Sequence, residues 1–404
     1  MITPEQIIQT VEDHKEEAIS CLQEIVQTPS PTGNELAVSR VFKKWMERCG
    51  LTVKEYSAEK GRPNLIAEWN GSQPGKRFIF NGHMDVFPPS AGNDGWYGPW
   101  SGKIVDGYIY GRGTVDMKGG DCAALMAVRL LRKLNFDPKG SVVLSYMVDE
   151  ENGGWKGVKY LIEKGLLNGD FGICMEPTNG RILNRHRGIL RMQFTYRADP
   201  HHASTPHPRK DALQKAITAI NQLYLLNDHL CDRTDEYGAA TRCLSVTVLH
   251  AGNTPNVQPG LAEFIIDRRV DMDESFDAVK QEILDVFETL KFQNPEFEYE
   301  YKILSDRPLL DIPDDNTFIQ TAARSYEKIM KKPAKLYTRA GGSDAASLFQ
   351  AYGLPIPNLG AAPDFDEHGQ GDPFGSGTPN ERLFLQDYLD SIKYYMMIVV
   401  DALS

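Results

Sequence analysis

The sequence predicts an α/β protein with a second domain inserted into the first. Three observations predict it. Short apolar runs that read as buried strands, Phe78-Ile79-Phe80, Ser141 to Val148 and Phe171 to Met175, alternate with stretches of helical periodicity. Residues 188–303 then change rhythm to strand 189–198, helix 208–229, strand 243–249, strand 261–270, helix 274–291 and strand 296–303, the β-α-β-β-α-β order of the ferredoxin-like split motif. After it the first rhythm resumes with helix 315–331, strand 334–338, helix 344–352, strand 355–359 and a long amphipathic helix 381–402. The expected division is 1–187 with 306–404 around an inserted 188–305, with hinges near Arg185–Gly188 and Ser305–Pro308.

The totals suit this division. A chain of 404 residues is long for one domain and right for two. An apolar fraction of 41% builds a large core. A formal charge of -11 without a Lys/Arg run argues against nucleic acid as a partner. The cysteines Cys21, Cys49, Cys122, Cys174, Cys231 and Cys243 are scattered with no C-x-x-C, which suits a reducing cytosol and offers no zinc-thiolate site. The first residues lack a basic segment followed by an apolar one, so no signal peptide is expected, and no apolar run approaches the roughly 20 residues of a membrane span.

Residues 3–28 read as one amphipathic helix, with Thr3 as N-cap, Pro4 at the first position and Gln6 closing a capping box. Thr28-Pro29-Ser30-Pro31-Thr32-Gly33 stops it, and a second helix runs to Cys49 with Gly50 in the left-handed position beyond. Strands follow near 51–56, 64–69 and 77–82. The stretch 88–103 is rich in Gly, Pro and aromatics, and Trp96, Tyr97 and Trp100 are candidate pocket-lining residues. Asp106-Gly107 marks a hairpin turn within 104–110. The glycine-dense Gly111 to Gly120 then leads into helix 121–134. It is not a phosphate-binding Walker loop, because no Gly-Lys-Ser/Thr closes it.

The chemistry starts at Asn81-Gly82-His83-Met84-Asp85-Val86. A strand ending this way presents His83 and Asp85 on one face, at the edge where open α/β sheets bind ligands. Alone, such a pair reads as a strand-end histidine and a turn aspartate. The other strand ends change the balance: Asp116 where the glycine-rich loop turns into its helix, Asp149-Glu150-Glu151 after 141–148, and Glu176 after 171–175. Three successive acids repel one another unless a cation lies between them. One imidazole among several carboxylates suits a divalent ion of the zinc, cobalt or manganese kind, whereas an all-oxygen set suits calcium or magnesium. A carboxylate shared by two ions allows a pair ~3.5–4 Å apart, and such ions lower the pKa of a bound water to roughly 7. A free carboxylate beside them, with Glu150 the natural choice, takes the proton and passes it to a leaving amine. Asp85 is expected to orient His83 through its second ring nitrogen.

These four motifs, Asn81 to Val86, Gly111 to Gly119, Asp149 to Gly154 and Met175-Glu176-Pro177-Thr178, together resemble the M20 metallopeptidase family, which includes acetylornithine deacetylase, succinyl-diaminopimelate desuccinylase, aminoacylase-1 and glutamate carboxypeptidase. The resemblance covers nearly the whole chain. It implies a metal-dependent, exopeptidase-like catalytic domain with an inserted lid and dimerisation domain, hence a homodimer. It implies one ion held by His83 and Glu176, another by Glu151, with Asp116 bridging, Glu150 as general base and acid, and Asp85 behind His83. It also implies a cis peptide at Asp116-Met117. In the inserted domain it implies that His202, of His201-His202-Ala203-Ser204-Thr205-Pro206, reaches a partner subunit's active site to stabilise the oxyanion. Asn256 and Arg269 match positions that hold the substrate carboxylate or carbonyl, and Gly342-Ser343 a glycine-rich substrate loop. By themselves these residues read as a loop pair, a turn residue, a surface ion pair and a helix cap.

The chain departs from the family in two places. The family tends to show Asn-Ala where this chain has Asp211-Ala212. More important, its last metal histidine precedes a Thr-Pro-Asn-Glu-like tail, and here Gly377 stands before Thr378-Pro379-Asn380-Glu381. Either a rebuilt loop 361–377 brings His368 in as the ligand, or the second ion is weak or absent, or the histidine has been substituted. The expected activity is hydrolysis of the amide of an N-acyl amino acid with a free carboxylate, using two divalent ions, zinc first. A carboxypeptidase or dipeptidase, and a metal-binding relative of low activity, are the alternatives.

Overall fold

The computed structural model describes residues 2–404 except 90–91, 93–94, 179, 207–210, 233–240, 340 and 363–371. The chain forms two compact units, one of Met1–Arg185, Leu310–Thr338 and Ser343–Ser404, the other of His186–Leu309 and Arg339–Gly342.

The first unit is built on a five-stranded sheet in the order Val53–Glu59, Arg62–Asn70, Lys139–Met147, Gln73–His83, Phe171–Cys174. The last three strands are mutually parallel. Parallel strands need both faces covered, and Phe78, Ile79 and Phe80 are accordingly fully buried. Helix Lys118–Lys133 packs near Gln73–His83 and against Leu385–Leu403. Its first turn is glycine for a packing reason. A Cβ on Gly119 or Gly120 would stand 2.3 Å from the carbonyl oxygens of Thr114 and Met175 respectively.

Several elements differ from the sequence expectation, each for a local reason. The capping box at Thr3 is present, but the expected single helix 3–28 is two, Pro4–Asp13 and Lys15–Val26. The His14 ring bonds the Thr10 carbonyl at 2.9 Å, and its own N–H turns instead to Val11 O at 3.2 Å. Residues 355–359 make bridges at Asn358 and main-chain bonds to Gly172 and Cys174 but no full strand, because Pro355 and Pro357 have no N–H to donate. The last helix begins at Leu385, and Arg382–Phe384 is a strand paired with Tyr108–Tyr110. Asp106 and Gly107 both have positive φ, the hairpin turn their sequence signals. Tyr97 packs on Tyr110 and Trp96 on Phe374, while Trp100 lines a cavity with Pro29, Pro31 and Arg40.

The second unit is a four-stranded antiparallel sheet in the order Cys243–Ala251, Leu261–Val270, Gly188–Arg197, Glu300–Arg307. With helices Ala212–Leu230 and Phe276–Gln293 it gives β-α-β-β-α-β in chain order. Its core stacks Phe194 on Phe287 at 4.0 Å between ring centroids and on Phe264 at 5.4 Å. Asp211 caps the first helix, accepting the Leu213 N–H at 2.8 Å. Among the described residues no helix is long and apolar enough to cross a membrane.

Candidate metal centre

The parallel register brings the acidic strand ends to one edge. His83 pairs with Met147 and Asn81 with Cys174. The turn after Met147, carrying Glu150 and Glu151, and the residues after Cys174, carrying Glu176, therefore leave the sheet beside His83. Asp116 arrives from the glycine-rich loop, and the Asp116-Met117 peptide is cis. Gly82 lets the helix behind come close, since a Cβ there would lie 1.9 Å from Asp121 Oδ1.

His83 Nε2 lies 3.3 Å from Asp116 Oδ1 and 3.6 Å from Glu176 Oε1. Ligand atoms of His83, Glu150 and Glu176 lie within 4.8 Å of one another, as do those of His83, Asp116 and Glu151. Both strand-end glutamates are thus in reach of the same histidine. His83 Nε2 and Glu151 Oε1 are shielded from solvent and have no hydrogen-bond partner among the described residues. Buried polar atoms ordinarily have partners, and a divalent cation satisfies one imidazole nitrogen and several carboxylates together. This residue set fits such an ion. Electrostatics agree. Burial and the Asp116 charge push the Glu151 and Glu176 carboxyls above the usual range. Burial opposes charge on His83, but the carboxylates of Asp116 and Glu176, helped by Glu150 and Asp85, outweigh it and raise its pKa well above normal. A cation removes that mutual repulsion.

The residues behind the cluster hold it in place. Asp85 stands behind His83, but not as expected. His83 Nδ1 donates to the main-chain carbonyl of Asp85 at 2.8 Å, while Asp85 Oδ1 is 3.8 Å away. The Asp85 carboxylate is engaged elsewhere, accepting from Glu150 N at 3.2 Å, Glu151 N at 3.3 Å and Thr32 Oγ1 at 2.9 Å. It organises the turn that carries both glutamates, because the main chain already satisfies the ring nitrogen. The first acid of that turn points away from the centre. Asp149 has a left-handed backbone, φ 72°, and its carboxylate meets Arg62 at 3.0 Å. Arg62 also donates to both oxygens of Glu35. Arg62 and Glu35 have no signal in the linear sequence, since their partners lie far off in the chain.

At the family's histidine position, Gly377 has φ 75°, and a Cβ there would meet only the Phe87 ring, at 3.6 Å. Next to it, Ser376 Oγ donates to Asp116 Oδ2 at 2.7 Å. His368 lies outside the described residues. Ser343 occupies the N-cap position of helix Asp344–Tyr352.

The other sequence candidates lie in the second unit. His202 is exposed, and its Nδ1 accepts the Ser204 N–H at 3.2 Å, which places the proton of the neutral ring on Nε2. Its strand pairs with Val257–Gln258, and the Asn256 carbonyl accepts Ala203 N–H at 2.9 Å. Arg269 Nε donates to Asp267 Oδ1 at 2.8 Å, and neighbouring Arg268 is buried against Glu274. The Gly342 carbonyl accepts from Arg307 at 3.3 Å.

The model of peptidase family M20/M25/M40 matches residues 79–401. The chain belongs to this family. It is similar to a succinyl-diaminopimelate desuccinylase of Methylorubrum extorquens, 30% identical over 368 residues that cover 86% of this chain and 91% of the relative. The fold is similar to that of the di-peptidase Dug1p of Saccharomyces cerevisiae, with a TM-score of 0.78, 14% identity and coverage of 99% of this chain and 98% of that one. It is also similar to that of a dinuclear metal binding peptidase of Bacillus subtilis, with a TM-score of 0.68, 18% identity and coverage of 97% and 99%. Membership makes the chain a hydrolase of amide or peptide bonds, and its donor cluster is of the kind that takes divalent metal.

Proposed function

We propose that the chain hydrolyses the amide of an N-acyl amino acid, releasing a carboxylic acid and a free amine. The observation that carries this reading is the cluster of His83, Asp116, Glu150, Glu151 and Glu176, with His83 Nε2 and Glu151 Oε1 buried and unsatisfied among the described residues. The desuccinylase relatives support an N-acyl substrate. In this reading His83, Asp116, Glu151 and Glu176 are the residues that would hold the divalent ions. Zinc is the first choice, cobalt or manganese the next. When bound, such ions supply the Lewis acidity that makes water a nucleophile near neutral pH.

The chain's own residues do the rest. Glu150 takes the proton of the attacking water and returns it to the departing nitrogen. Asp85 fixes the main chain of Glu150 and Glu151 and, through its carbonyl, the tautomer and orientation of His83. By the family resemblance, His202 would donate from Nε2 to the developing oxyanion in a partner subunit's active site, and Asn256 and Arg269 would hold the substrate carboxylate or carbonyl, with Gly342 and Ser343 in the substrate loop. The inserted unit is a lid and a homodimer surface, and the protein works in the cytoplasm. The test is turnover of N-succinyl and N-acetyl amino acids against dipeptides, each with zinc, cobalt or manganese added. Hydrolysis of dipeptides alone replaces the proposal with a peptidase.

Gly377 supports a second reading, in which the Glu151 ion is weakly held and turnover is low. Metal analysis of purified protein separates the two. One ion or fewer per chain, with no activity after metal addition, favours the second.

A further inference from the structure

The tail Thr378-Pro379-Asn380-Glu381 has no role in the mechanism above, yet its last residue is among the most enclosed charges in the first unit. The Glu381 side chain is 1% exposed. Its Oε1 accepts the main-chain N–H groups of Gly113 at 2.9 Å, Val115 at 3.0 Å and Asp116 at 3.2 Å. Its other oxygen accepts from Arg112 at 3.1 Å, and its carbonyl accepts the Gly111 N–H at 2.9 Å. Successive N–H groups converging on one anion form a nest, here filled by the protein's own carboxylate. The third of those N–H groups belongs to Asp116, whose carboxylate faces His83 Nε2 and accepts from Ser376. The segment 376–381 therefore grips Asp116 at both its main chain and its side chain.

We infer that Glu381 is a positioning residue for the metal centre: it holds the loop 112–116 in the conformation that presents the Asp116 carboxylate to the ion. The inference rests on the metal reading above. It explains why the glutamate of the tail stays useful where the histidine four residues before it is a glycine, since the anchor acts on Asp116 and not on the ion. It also separates Glu381 from a merely structural ion pair with Arg112, because the three N–H contacts survive replacement by a neutral acceptor.

The test is titration of Co2+ into the metal-stripped full-length protein, read by calorimetry and by the visible absorption of bound cobalt. Wild type is compared with Glu381→Ala, with Glu381→Met, which fills the volume without an acceptor, and with Glu381→Gln, which keeps one. Circular dichroism and thermal unfolding report whether each variant folds. Partners behind metal ligands are worth about 10–100-fold in metal affinity, so the Ala and Met variants should bind Co2+ more weakly by that factor with an altered spectrum. Glu381→Gln should restore most of the affinity. Wild-type affinity and spectrum in a folded Ala or Met variant overturn the inference, as does a Gln variant that binds no tighter than Met. Should the Ala variant not fold, the Met and Gln comparison decides. A wild-type chain that takes up no Co2+ overturns the metal reading itself, a distinct result.

Discussion

Arg62→Met tests how the catalytic turn is held. Arg62 is 5% exposed and lies between two buried carboxylates, donating to Glu35 at 2.8 and 2.5 Å and meeting Asp149 at 3.0 Å. Methionine keeps much of the volume and removes the charge. Glu35 still accepts the Gly33 N–H at 2.8 Å and Asp149 the Lys156 N–H at 3.1 Å, so each keeps one bond but loses its counter-ion. Removing one partner of a buried ion pair costs about 3–5 kcal/mol. The assay is urea unfolding followed by tryptophan fluorescence, for wild type and variant at pH 7. The expected destabilisation is about 3–5 kcal/mol. Turnover should fall as well, because Asp149 begins the turn that carries Glu150. A loss below about 1 kcal/mol, the scale of an exposed pair, refutes the reasoning.

Three other outcomes are expected. Glu150→Ala should retain its metal load while turnover drops about 10²–10⁴-fold; elemental analysis beside steady-state kinetics checks both, and unchanged turnover removes Glu150 from its role. His186 is buried, its Nδ1 donates to the Arg187 carbonyl at 3.0 Å, and burial, with Arg339 and Arg307 nearby, lowers its pKa to about 3. The unfolded chain therefore binds the proton that the folded chain refuses between that value and the ordinary one, and stability is lost as pH falls, by about 2 kcal/mol from pH 7 to pH 5. Denaturation of His186→Asn should show a shallower pH slope, and an identical slope counts against the assignment. Gly377→His meets only Phe87, so it should fold with a penalty of about 1–2 kcal/mol for its left-handed backbone, and it should raise the metal bound per chain. Unchanged metal content would mean that the second ion does not depend on this position.

The candidate cluster was legible in part because His83, Glu150, Glu151 and Glu176 lie at or just after strand ends. An apolar run followed by Gly82-His83, or by Asp149-Glu150-Glu151, announces both the element and the side chains at its tip. The helix break at His14 was not legible, because it depends on which carbonyl the ring takes. The bridged segment at 355–359 shows the opposite failing: its apolar pattern fits a strand, but two prolines withhold the N–H groups a ladder needs. Asp85 stands two residues after His83 in the sequence, yet only the turn geometry showed that its carbonyl meets the ring and its carboxylate meets the next loop.

Local pattern alone was enough to mark the α/β rhythm and the residue types of the candidate cluster, since hydrophobic period and residue chemistry are written along the chain. The tertiary structure decided the register that sets His83 beside Met147, the pairing of Arg62 with Glu35 and Asp149, and the seat of Glu381 beneath the loop of Asp116. Those contacts join residues up to 269 positions apart. Nothing in either segment names its partner, because burial and strand pairing are properties of the assembled sheet.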